Sequence, residues 1–248
     1  MSVVTRHLFT ASFTLLLSLS LPAVAQSTVE SQSSFDEYDV NADVDPWEGF
    51  NRSMFGFNDA LDRYALKPVA RGYKAITPNI LEAGIGNFFS NLGDVGSLVN
   101  NLLQLKGEAA GQDLGRVVFN TTVGLVGLID VATPMGLPEH NEDFGQTLGY
   151  WGVKTGPYLV LPFLGPSNVR DGIGLIPDSM LDPVGEIDPI PTRNQLYTLR
   201  VIDTRMKLLG AEQLLSGDRY TAMRDAYLQR REFLVNDGQI VSFDDDQF

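Results

Sequence analysis

The stretch Glu142–Gly174, EDFGQTLGYWGVKTGPYLVLPFLGPSNVRDGIG, narrows the possible folds more than any other part of the chain. It carries seven glycines and three prolines. Proline removes a backbone donor and glycine costs about 1 kcal/mol in a helix relative to alanine, so no regular helix of ordinary length is expected through it. Between these breakers lie Phe144, Leu148, Tyr150, Trp151, Tyr158, Leu159, Val160, Leu161, Phe163 and Leu164, too much apolar surface for a free loop in water. Two readings remain open: an irregular packed turn region, or a non-helical wall lining a cavity or facing lipid.

Helical periodicity governs most of what surrounds this centre. Asp45 and Pro46 read as the cap and first residue of a helix, with Phe50, Met54, Phe57 and Leu61 on one face. That face suits packing on a core and lying at a membrane interface equally well. Lys67-Pro68 is read as the end of this unit. A second helix is expected over Asn79–Leu105, where Gly84, Gly86, Gly93 and Gly96 suggest close approach of another backbone. From Val117 to Ile129 thirteen residues carry no charge, too few to span a bilayer but enough for a buried or half-inserted helix. The sequon Asn120-Thr121-Thr122 reads as a chance match, and Thr133–Pro138 as a turn. Pro177–Pro191 reads as a proline-spaced connector without a long helix. Two helices close the chain: Asn194–Leu215, and Arg219–Val235 capped by Asp218, with Arg230-Arg231 suited to the helix dipole.

The first 25 residues read as an export signal, with Arg6 before the apolar run Leu8–Leu21 and cleavage between Ala25 and Gln26. Residues 26–45 form an acidic linker, 46–235 one mainly α-helical domain, and 236–248 an acidic tail. The net charge of −13 therefore belongs mainly to the ends, and no basic stripe suits nucleic acid. The 248 residues hold no cysteine, which excludes thiolate chemistry and disulfides. His140, the only histidine after the leader, is read as a surface residue beside Glu139. No nucleotide-binding or nucleophile motif is present, so no enzyme, cofactor or metal site is expected. Arg170-Asp171 is read either as a structural ion pair or as a charged lip meeting a phosphate headgroup.

The central string, together with DPWEGFNRSMFGFNDALDRYALKPVARGY, NFFSNL, VVFNTTVGLVGLIDVAT and DTRMKLLGAEQLLSGDRYTAMRDAYLQRR, resembles the MlaA (VacJ) family of bacterial outer-membrane phospholipid-transport proteins. The resemblance covers about Asp45 to Arg231. It implies a single ring-like domain of amphipathic helices around a channel, seated in the inner half of the outer membrane and held by porin. Phospholipid that has strayed into the outer leaflet would pass through to a periplasmic lipid carrier protein, without cofactor or covalent chemistry. Lipoprotein members carry an acylated cysteine after the leader; here Gln26 takes that place, so membrane attachment is expected through the folded surface or partners. On this reading Tyr150, Trp151, Gly152, Gly156, Tyr158, Arg170 and Asp171 border the lipid path, and Phe50, Met54, Phe57 and Leu61 face the membrane. The competing reading is a soluble periplasmic helical module that binds a protein partner or scaffolds the envelope.

Overall fold

Residues 44–210 and 217–239 are described by a computed structural model. Its helices are, in order, α1 (Glu48–Leu61), α2 (Lys67–Ile76), α3 (Asn79–Leu103), α4 (Gly107–Thr122) and α5 (Phe144–Tyr150). A hairpin of β1 (Tyr158–Leu161) and β2 (Gly165–Asn168) follows, then α6 (Val169–Leu181), α7 (Ile190–Lys207) and α8 (Arg219–Val235). The expected leader, its cleavage after Ala25 before Gln26, nearly all of the acidic linker and most of the acidic tail lie outside the described residues.

The first helix does not stop at Lys67-Pro68. A π-helical turn, Asp62–Leu66, joins α1 to α2, and Pro68 sits in the first turn after it, where its missing donor is tolerated. Arg205 of α7 clamps that turn through two bonds to Asp62, at 2.5 and 2.9 Å. Asp45 is not the cap either, since the N-cap is Trp47 without a side-chain bond. The Asp45 carboxylate is buried instead, accepting from Asn51 Nδ2 at 2.7 Å and from the Tyr220 hydroxyl.

Two asparagines lash α1 to the free edge of the hairpin. Asn51 donates to the Tyr158 carbonyl at 3.0 Å and accepts from the Val160 amide at 2.8 Å. Seven residues on, Asn58 donates to the Leu161 carbonyl at 2.9 Å and accepts from the Phe163 amide at 2.8 Å. Two helical turns rise about 10.5 Å, which matches three residues of strand at about 3.3 Å each. The edge is thus satisfied by side chains, as an exposed strand requires. On the inner face Tyr158 and Val160 pack with Tyr220, Met54 and Phe55, and Tyr220 meets Phe55 and Tyr158 edge-to-face at 5.7 and 6.2 Å.

Around this seam the packing closes on itself. Helix α2 packs on α7, α7 on α3, α3 on α5, α5 on α6, α6 on β2, and β1 returns to α1. The circuit is a ring-like arrangement of helices. Its interior contacts are inverted relative to a water-soluble bundle. Among the described residues nine apolar side chains are buried, against twenty-two polar or charged ones. In the α3–α4 hairpin the buried residues include Asn91, Asp94, Ser97, Asn100, Asp113 and Arg116, while Leu102, Leu114, Val118 and Phe119 face outward. The Arg116–Asp94 pair, at 3.0 Å with both residues 1% exposed, lies between the two helices.

The uncharged run from Val117 is only partly helical. Helix α4 ends at Thr122, and Val123–Ile129 turns back as a loop with exposed Val123, Leu125, Val126, Leu128 and Ile129. Buried Asn120 draws the reversal closed, accepting from the amides of Val131 and Ala132 at 2.8 and 3.0 Å. The glycines of α3 mostly serve no backbone contact. A Cβ on Gly84 would meet the Leu128 carbonyl at 3.5 Å, but Gly93 and Gly96 face open space. The close approach lies in the centre: a Cβ on Gly174 of α6 would come within 2.7 Å of the Gly145 amide in α5.

Arginine 231 joins these crossing helices to α8, so it does more than suit a dipole. It reaches Asp143, the cap of α5, at 2.5 and 2.8 Å, and Asp171 at 2.7 Å. Asp171 also accepts from Arg170 at 3.0 Å and from the Tyr227 hydroxyl at 2.8 Å. With Asn168 capping it at 2.8 Å, α6 continues through Pro177 to Leu181 despite a proline cost of about 3 kcal/mol. The connector expected over Pro177–Pro191 therefore begins late and ends early, because α7 already starts at Ile190.

Removing one member of such a network leaves charge buried without a partner. Arg231→Met should lower the unfolding free energy by roughly 3–5 kcal/mol, measured by denaturant unfolding in detergent. A loss within the usual half-kilocalorie of surface substitutions would contradict that assignment. A second expectation concerns pH. Burial pushes the Asp178 carboxyl up to about 6, against the Phe144 amide, which bonds it at 2.9 Å and favours the charged form. The unfolded carboxyl titrates near 3.8, so the folded state holds an extra proton between these values. The stabilisation is fully present below the unfolded value and is lost as pH rises through the folded one. Asp178→Asn should remove this share of the fall in melting temperature between pH 5 and pH 7. An unchanged pH profile in the variant would contradict it.

Candidate functional site

Among the described residues helix α3 is the longest, 25 residues or about 37 Å. Along one flank it places Glu82, Gly86, Ser90, Asp94, Ser97 and Asn101, spaced by three or four residues and therefore on one face. Four recesses of about 520, 240, 300 and 620 Å³ follow this face in order. The first two share Glu82, Ala83 and Lys207; the second and third share Ser90 and Glu139. The third and fourth share Glu139, His140, Asn141 and Glu142. Together they form a row of neighbouring recesses along the helix, called the groove below, with the Ser90–Glu139 and Ser97–His140 bonds crossing between members of the row.

Charges of both signs line the groove and are held in place. At one end Lys74 meets Glu82 at 2.5 Å and Lys207 meets Asp203 at 2.8 Å. In the middle Glu139 accepts from Ser90 at 2.6 Å, and Arg116 donates to the Thr133 hydroxyl and the Leu137 carbonyl at 3.0 and 3.1 Å. Further on His140 Nδ1 lies 2.7 Å from a buried Asp113 oxygen, so this histidine is anchored into the α3–α4 hairpin rather than free at the surface. At the far end Lys106 faces Glu142 at 3.4 Å and Asp237. Apolar groups interleave with these, among them Met206 and Leu209 at the first recess, Phe89 at the third and Leu234 at the fourth. Such a surface can accept a molecule with both a charged and an apolar part.

The residues singled out from sequence divide by place. Tyr150 and Trp151 are half exposed beside the far end of the groove. Lys106, which lines the fourth recess, stands 5.6 Å over the Tyr150 ring, and Trp151 Nε1 donates to the Leu103 carbonyl at 3.2 Å. Gly152 and Gly156 in the following turn have φ of +87° and +69°, which accounts for glycine there on backbone grounds alone. Tyr158, Arg170 and Asp171 are buried in protein contacts and are not among the groove-lining residues. On α1, Phe50, Phe57 and Leu61 are exposed, whereas Met54 is partly buried against the Tyr158–Tyr220 cluster. Among the described residues no helix is long and apolar enough to cross a membrane.

The groove itself escaped the sequence reading. Its signal was present in the small and polar residues of α3, which repeat with helical spacing opposite Leu81, Phe88 and Leu92. Glycine within a helix reads first as close approach of another backbone, whereas Gly86 and Gly93 share a stripe with Glu82, Ser90 and Ser97.

Comparison with known proteins agrees with this architecture. The family model described as MlaA lipoprotein matches residues 43–234. The intermembrane phospholipid transport system lipoprotein MlaA of Escherichia coli is 38% identical over 202 residues, 79% of this chain and 80% of that protein. Its Haemophilus influenzae counterpart is 33% identical, covering 83% of this chain and 85% of the relative. A solved structure reported under "Structural basis for maintenance of bacterial outer membrane lipid asymmetry" superposes with a TM-score of 0.69 at 37% identity, over 77% of this chain and 99% of that one. The chain belongs to the MlaA lipoprotein family.

Proposed function

We propose that this protein works in intermembrane phospholipid transport as a passive conduit, taking phospholipid from the outer leaflet of the outer membrane and handing it to a periplasmic carrier. The observation that carries this reading is the groove along α3. It offers held charges for a headgroup beside apolar walls for acyl chains, and the Tyr150–Gly156 turn begins beside its far end, where Lys106 stands over the Tyr150 ring. We place the lipid path along this groove and that turn, with Tyr158, Arg170 and Asp171 supporting the turn from behind. A conduit of this kind adds no free energy, so direction comes from the carrier that removes lipid. The relatives' names speak of a transport system, which supports further components; an outer-membrane porin as holder and a soluble carrier as acceptor fill those roles.

Attachment to the membrane follows from the inverted packing. Exposed Phe50, Phe57 and Leu61 of α1, with the Val123–Ile129 loop and the outer face of the α3–α4 hairpin, form an apolar surface that lipid would cover. Burying the three α1 side chains alone is worth roughly 5–9 kcal/mol before ordering costs, at about 1.5–3 each. On this reading the apolar surface and a partner hold the folded domain at the membrane.

Two experiments test these statements. A Cβ at Gly93 would meet nothing within 4 Å, and this residue lines the third recess, so Gly93→Trp adds bulk to the groove without a backbone clash. Cells relying on that variant should show several-fold more outer-leaflet phosphatidylethanolamine, read by an impermeant amine reagent, at normal protein abundance. Wild-type labelling would remove the groove from the path. Changing Phe50 and Phe57 together to Ser should shift the protein to the soluble periplasmic fraction with helix content intact. Loss of folding would instead assign that face to the core, and full membrane recovery would assign attachment elsewhere.

A further inference from the structure

At the α2 end of the groove three buried polar atoms lack a protein hydrogen bond: Glu82 Oε1, Asp203 Oδ1 and the Tyr73 hydroxyl. Glu82 is 8% exposed, and its Oε2 accepts from Lys74 at 2.5 Å. Its other oxygen, Oε1, is buried with no hydrogen bond. An orphan acceptor of this kind costs roughly 1–3 kcal/mol, and more when it bears charge. Glu82 lines both the 520 and the 240 Å³ recess, as does Lys207. The Lys74 and Lys207 side chains are about half exposed, at 49% and 54%, so both ammonium groups stand at the mouth while the carboxylate lies inside. Gly86 leaves the room this requires, because a Cβ there would sit 2.7 Å from Lys207 Nζ.

We propose that this junction is a headgroup-selecting site for amine-bearing zwitterionic phospholipid, with phosphate against Lys74 and Lys207 and the ammonium donating to Glu82 Oε1. The proposal rests on the phospholipid-transport reading above and adds the substrate class to it. Two lysines face two carboxylates, Glu82 and Asp203, so the site is charge-balanced and matches a headgroup that is itself neutral overall. A primary ammonium supplies the donor that Oε1 lacks, in a charge-assisted bond. A quaternary ammonium brings the charge without an N–H. A glycerol headgroup offers Oε1 only a neutral hydroxyl donor and keeps a net negative charge that the balanced site does not offset. Ethanolamine, with both the charge and the N–H, is therefore preferred over choline and glycerol headgroups.

The test uses the full chain exported and purified in mild detergent, incubated with equal amounts of phosphatidylethanolamine, phosphatidylcholine and phosphatidylglycerol. Bound lipid is counted by native mass spectrometry. Wild type should retain phosphatidylethanolamine over phosphatidylglycerol by roughly tenfold, the worth of one charge-assisted hydrogen bond. Glu82→Gln should bring that ratio to that of the mixture, with helix content unchanged by circular dichroism. Lys207→Met should lower retention of all three classes. Bound lipid without class preference in wild type, or a preference that survives Glu82→Gln, would overturn the headgroup site and leave the transport reading standing. No bound phospholipid of any class would overturn both. Excess soluble glycerophosphoethanolamine supplies the control for source: failure to displace the lipid supports a membrane substrate, and full displacement assigns the site to a soluble headgroup and overturns the proposal.

Discussion

Cohesion in this fold rests on polar side chains buried between helices whose apolar faces turn outward. In water such a design would be costly, because hydrophobic burial normally supplies most of the driving force for folding. When the outside is lipid, apolar side chains gain nothing by turning inward, and hydrogen bonds and ion pairs become the means of joining helices. The Arg116–Asp94 pair inside the α3–α4 hairpin and the Asp143–Arg231–Asp171 network between α5, α6 and α8 suit such surroundings. So does the pairing of Asn51 and Asn58 with the free edge of β1. Among the described residues, the small cluster of Tyr158, Val160 and Tyr220 is where apolar burial follows the soluble pattern most clearly.

The same inversion shapes the groove. Polar residues that face inward along α3 need partners, and those the protein does not supply become open chemistry. Some find them within the protein: Ser90 in Glu139, Asp94 in Arg116, Asn101 in Asp113. What remains is a lined recess with charges fixed in both signs and apolar groups between them. Holding charge in place before a ligand arrives lowers the ordering cost of binding, while alternation of sign keeps any one headgroup from being trapped. Both properties suit a molecule that must enter and leave.

Local features were legible in the sequence, and features that depend on distant partners were not. The presence of helices α1 and α3 and the Asp218 cap follow from spacing and end chemistry, which are read within a few residues. The interruption of regular structure through the glycine-rich centre was also legible, as a seven-residue helix, a short hairpin and turns with positive φ. The joining of α1 to α2 across Lys67-Pro68 was not, because the clamp on the π turn comes from Arg205, 143 residues away. Asn51 and Tyr158, 107 residues apart, present the same problem. Arg170 and Asp171 illustrate it from the other side, since adjacency shows the pair but not that Arg231 and Tyr227 enclose Asp171. Polar residues on an amphipathic helix read by default as its solvent face, and here many of them are the interior.

The central claim, that phospholipid travels in the groove along α3, is tested most directly by trapping it there in living cells. A photoreactive amino acid placed at Asn87, which lines the groove beside Ser90, should give a protein adduct whose added mass is that of a phospholipid. That adduct should accumulate when the periplasmic acceptor is depleted. If Asn87 gave no lipid adduct while the same probe at exposed Val126 did, lipid would surround the protein without passing through it, and the account would be contradicted.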